Sequence, residues 1–125
     1  MRLVFFTCCE QSVIDQSSNR LTLVNIAEEF SSPTFPASMA FVSVASVWER
    51  DAGEAAEANA QLTIRYNETV LFQAPLPINF QDKLRTRSIA NLQGLPLQGV
   101  GAIIFEVDIG GTKYGEWKVP VQLLG

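Results

Sequence analysis

From Ala56 to Asn67 the chain alternates without a break. Ala56, Ala58, Ala60, Leu62, Ile64 and Tyr66 fall on one side, and Glu57, Asn59, Gln61, Thr63, Arg65 and Asn67 on the other. A period of two held this long marks a β-strand with one face in a core and one in water. Glu54 to Ala58 would also suit a turn of helix, since alanine and glutamate are good helix formers. The unbroken run into Leu62, Ile64 and Tyr66 favours strand. The alternation returns at Ala102–Ile109, with Ile103, Phe105, Val107 and Ile109 inward, and at Tyr114–Leu123, with Trp117, Val119, Val121 and Leu123 on one face. Gly110-Gly111 between them has the permissive backbone that a tight hairpin needs.

Upstream, Arg2–Cys9 is apolar on both faces, which predicts a central strand. Glu10–Asn19 is polar and reads as a turn or short hairpin loop. Arg20–Ala27 sets Leu21 and Leu23 against Val24 and Ile26. Pro33 and Pro36 make Ser31–Ser38 an ordered crossover, because proline removes a backbone donor. Ala40–Glu49 places Val42, Val44 and Trp48 on one face and Phe41, Ala45 and Val47 on the other, so one outer sheet face is expected to be covered. After a turn at Asn67-Glu68 comes a short strand, Thr69–Ala74. Pro75 and Pro77 then impose an irregular extended piece with Ile78 and Phe80 inward. Lys83–Leu92 is a further strand, and Gln93–Gly99 a glycine and proline corner. About eight short strands separated by turn signals predict an all-β fold, an antiparallel two-sheet β-sandwich.

The chain of 125 residues suits one domain, residues 1–125, and is long enough to bury a core. Its 47% apolar and 18% charged composition is globular, not disordered. A net charge of −4 argues against general affinity for nucleic acid. The apolar run near the N-terminus, Leu3 to Phe6, is too short for a signal peptide, and no segment approaches the roughly 20 apolar residues of a membrane helix. Cys8 and Cys9 are adjacent and are the sole cysteines. Neighbours in a strand point to opposite faces, so a disulfide between them is geometrically poor. Two reduced thiols and a cytoplasmic location are expected.

The chain has no histidine, which removes the common serine and cysteine triads and histidine-containing zinc sites. A nucleophilic Cys8 or Cys9 would need a cation such as Arg2 or Arg20 beside it; otherwise the two are small apolar side chains of a buried strand. Asp15, Asp51 and Asp82 lie in or near loops and could converge on calcium as in C2-like domains, yet none belongs to an Asp-x-Asp pair. The sharpest polar cluster is Lys83, Arg85 and Arg87. Their spacing of two puts three cations on one strand face of an otherwise acidic chain. They read either as a docking stripe for an acidic partner or as charges that keep a sheet edge from pairing with another chain. Trp48, Tyr66 and Trp117 are expected in the core, and Tyr114 exposed beside the Gly110-Gly111 turn.

Several pieces together resemble a family of small bacterial single-domain proteins carried as a domain of unknown function. They are Cys9-Glu10 after an apolar first strand, Leu21 through Ile26, Val47-Trp48-Glu49-Arg50, Asn91 through Pro96, Gly101 through Val107, and Trp117 with Val119-Pro120-Val121. The resemblance implies an immunoglobulin-like or C2-like sandwich and carries no established activity to any residue. The expectation is therefore a non-enzymatic interaction or accessory module of a bacterial cytoplasm, without cofactor or metal. It would recognise a protein partner, or itself as a homodimer, through a sheet edge or face, with Lys83, Arg85 and Arg87 as the electrostatic part. A small-ligand or calcium-binding sandwich using the loop carboxylates is the alternative.

Overall fold

Strand-forming patterns are realised throughout, and often further than the turn signals allow. A computed structural model describes residues 1–124 and contains, among them, nine strands. They are β1 (Arg2–Ile14), β2 (Leu21–Ile26), β3 (Phe30–Ser32), β4 (Ala37–Glu49), β5 (Glu57–Tyr66), β6 (Thr69–Asn79), β7 (Arg85–Leu97), β8 (Gly101–Ile109) and β9 (Thr112–Leu123). A first, four-stranded sheet has the order β2-β1-β4-β7, and a second, five-stranded sheet the order β3-β9-β8-β5-β6.

The core lies between the sheets. Val42, Val44 and Trp48 of β4 meet Leu62 and Ile64 of β5, Ile78 of β6, and Ile103, Phe105 and Val107 of β8. Trp48 and Phe105 are fully buried, and burying a side chain of this kind contributes about 1.5–3 kcal/mol. The indole of Trp48 donates to Ser46 Oγ at 2.9 Å, and that hydroxyl donates to Ser88 O at 2.8 Å. This satisfies the polar atoms that β4 carries inside. Tyr114 is partly exposed as expected, with its ring 5.7 Å from that of Trp48. Gly110 and Gly111 both take left-handed φ values, 59° and 85°, and close the β8–β9 hairpin.

Five expectations need correction. The second sheet is mixed, because β3 runs parallel to Val121–Leu123 of β9. That short strand overlaps the start of the expected crossover, Ser31–Ser38, and has no local periodicity; its partner lies at the far end of the chain. Pro75 and Pro77 interrupt nothing. They pair with Gln61 and Asn59 in a continuous β6, which is tolerated because β6 is an edge strand and a proline's missing N–H can face outward. Gln93–Gly99 is likewise not a corner. Strand β7 continues to Leu97 through Gly94, whose φ of 73° bends it so that Leu95 and Leu97 enter the core. Leu123, expected inward, is 59% exposed at the end of β9.

The fifth correction concerns Glu10–Asn19, where β1 continues to Ile14 and the turn proper is confined to Asp15–Arg20. Strand β1 pairs with β4 only from Arg2 to Cys9; Gln11–Ile14 pair with Leu21–Val24 alone. A straight continuation would carry the hairpin tip roughly 20 Å past Cys9. Instead Ser12 Oγ lies 2.6 Å from Ser43 Oγ, and Arg87 Nη2 donates to Asn19 O at 2.6 Å. Ser43 is paired with Cys9, and Arg87 with Val47 nearer the start of β1. The hairpin has therefore doubled back across the outer face of the first sheet. Beneath it Thr7, Cys9, Ser43 and Ala45, all outside the main hydrophobic cluster, are at most 1% exposed. The chain itself supplies cover for the outer face of β4.

Candidate functional site

The hairpin tip, the start of β7 and the β6–β7 turn enclose a cleft of about 530 Å³. Its lining includes Ile14 and Leu21 from the hairpin, Val47 from β4, Phe80 at its floor, and Lys83, Arg85 and Arg87. All three cations singled out in the sequence thus line one concavity. Lys83 does so from the turn and not from the strand, since β7 begins at Arg85.

Each cation is placed differently. The turn that carries Lys83 is held by Arg50, a buried residue whose Nε donates to Lys83 O at 3.0 Å and whose Nη1 donates to Glu54 O at 2.9 Å. The Arg50 guanidinium also lies 5.5 Å from the centroid of the Phe80 ring, a cation–π arrangement. Arg85 is paired with Glu49, which also binds Arg2. Hydrogen bonds from Arg85 and then Arg2 hold the Glu49 carboxyl below its ordinary range. Arg87 is spent on a neutral acceptor, Asn19 O. Among the described residues neither Lys83 nor Arg87 is in an ion pair, so the cleft keeps two uncompensated positive charges beside an apolar floor. Such a lining suits a carboxylate or another anion attached to an apolar group.

The other nominated residues are not brought together. Asp15 caps its own turn, accepting from Ser17 N at 3.0 Å and Ser17 Oγ at 2.9 Å, while Asp51 pairs with Arg2 and Asp82 sits in the β6–β7 turn. Among the described residues no three Asp, Glu, Cys or His side chains are grouped as ligands of a metal would be. Cys8 lies in the core, where burial, and then neighbouring Cys9, push its thiol up to about 12. Cys9 faces the opposite way, under the hairpin, with its Sγ 3.4 Å from Gln11 O. Arg2, considered as an activating cation, is engaged by Glu49 and Asp51.

Two contributors escaped the sequence reading. Arg50 stands in the sequence only as the end of Val47-Trp48-Glu49-Arg50, although an arginine bounded by Glu49 and Asp51 and following an apolar strand is a candidate for a buried tie. Asn19 carried only a generic turn signal, and its role as acceptor for Arg87 depends on the doubled-back hairpin.

Fold and cleft together define an all-β protein of two sheets with a cationic concavity at one end. The chain belongs to a family of unknown function, DUF6941, whose model matches residues 4–122. No curated protein matches it. No helix among the described residues is long and apolar enough to cross a membrane.

Proposed function

We propose that the protein is a non-enzymatic interaction module whose cleft takes the carboxylates of an acidic protein segment. The observation behind this reading is that, among the described residues, Lys83, Arg85 and Arg87 are the charged residues of the cleft lining and no carboxylate shares it. Apolar Ile14, Leu21, Val47 and Phe80 would accept an aliphatic or aromatic neighbour of the bound acid. The reading takes the two sheets as a sandwich of the immunoglobulin-like or C2-like kind, supported by the shared core and the mostly antiparallel ladders. It places the module in a cytoplasm, where unpaired Cys8 and Cys9 stay reduced.

Fluorescence anisotropy with a glutamate-rich peptide containing interspersed leucines tests it. Binding should weaken steeply with added salt and be lost in the Lys83→Glu, Arg87→Glu double variant. Lys83→Glu alone is the cleaner control, because among the described residues Lys83 is held by its backbone O and N and not by its side chain. Equal binding by wild type and both variants would overturn the proposal.

A further inference from the structure

We infer that the acidic partner is a second copy of this chain, docked face to face across the folded hairpin about a twofold axis. This rests on the cleft reading above and names its occupant. The argument comes from the opposite end of the same sheet face. There Phe41, 59% exposed, stands between two grooves of about 710 and 350 Å³. Glu10 and Glu29 are the charged residues among the linings of these two grooves. Among the described residues, the lining at one end therefore presents cations without carboxylates and the linings at the other carboxylates without cations. Along β4 the two ends are separated by the span from Phe41 to Val47, roughly 20 Å.

A surface charged oppositely at its two ends is self-complementary when a copy is turned around. Each Lys83–Arg87 pair then meets the partner's acidic groove, and symmetry makes the contact twice. Between the ends the hairpin turns Val13 and Val24 outward, on the side away from the Ser12–Ser43 hydrogen bond; they are 41% and 36% exposed. Apolar residues at the centre, a large aromatic anchor and charges at the rim are the anatomy of a specific interface. Twofold dimers are the commonest closed assembly, and this pattern satisfies one without an open end.

Sedimentation velocity across a wide concentration range tests the inference, with circular dichroism establishing that each variant is folded. Wild type should sediment as a dimer and Phe41→Asp as a monomer. Lys83→Glu should weaken dimerisation roughly tenfold, since symmetry counts each rim charge twice, and adding Glu29→Lys should restore it. A dimer indifferent to both substitutions would overturn the inference, as would a ladder of larger species. A wild type monomeric at every concentration also overturns it. If that monomer still binds the glutamate-rich peptide, the cleft reading stands and only the second copy is lost; if it binds neither, both fall.

Discussion

Asn25 and Glu10 face each other at the crease of the β1–β2 hairpin, with Asn25 Nδ2 donating to Glu10 Oε2 at 2.8 Å. Asn25 adopts a left-handed φ of 55°, a conformation that asparagine tolerates better than other residues with a Cβ. The two features turn an ordinary hairpin into a flap. A ladder without the crease would run off the end of the sheet and leave its outer face bare.

Replacing Asn25 by alanine removes the hydrogen bond and keeps the unfavourable φ. The expected loss is about 1–2 kcal/mol in urea denaturation. Asn25→Gly restores conformational freedom and should recover part of it. Equal stability of wild type and Asn25→Ala would mean that the crease is not under this control.

Cys8 and Cys9 give the flap its own reporter. Cys9 becomes accessible when the hairpin lifts, whereas Cys8 requires the core to open. Thiol labelling of Cys8→Ala and Cys9→Ala in native buffer should show Cys9 reacting well ahead of Cys8. Matching rates would argue that flap and core open as one unit.

Glu49 links the N-terminus to the cleft through Arg2 and Arg85, and its folded-state pKa is depressed. Its stabilising contribution is complete above the unfolded carboxylate value, about 4.3, and is lost as pH falls through the lower folded value. Glu54, held down by its hydrogen bond to the N-terminal ammonium, follows the same sign. Melting temperature should therefore fall below about pH 4, with a shallower acid limb in Glu49→Gln. Superimposable limbs would remove Glu49 from the account. The groups are exposed, so the difference should be small.

Ser46 is the hub between Trp48 and β7. Ser46→Ala leaves the buried indole N–H without its acceptor, at an expected cost of about 1–3 kcal/mol. Chemical denaturation followed by tryptophan fluorescence reads both the loss and the change around Trp48.

Legibility tracked how local each determinant is. Ala58 through Tyr66 could be read directly, because β5 has one face on the core and every second residue records it. The hairpin turn at Gly110-Gly111 was equally plain. Pro75, Pro77, Gly94 and Pro96 misled, since the same residues that stop an interior strand are admitted on β6 and β7, and edge status is a property of sheet order. The cations could be nominated from their spacing alone. Their concavity could not, because its walls include Ile14, Leu21, Val47 and Phe80, which come together only after the hairpin folds back. That fold depends on the conformation of one asparagine, to which no periodicity points.

Where β6 and β7 approach each other, Thr86 Oγ1 donates to Asn79 O at 3.1 Å and Ser88 Oγ to Pro77 O at 2.8 Å. Each sheet ends on this side, and these bonds occupy two carbonyls of β6 that a stray chain could otherwise use. Two hydroxyls thus act as a seam along a margin that would otherwise invite templated growth, the hazard of exposed sheet edges. Resistance of the concentrated protein to fibre formation is thus expected to rest in part on a threonine and a serine that lie outside the core cluster.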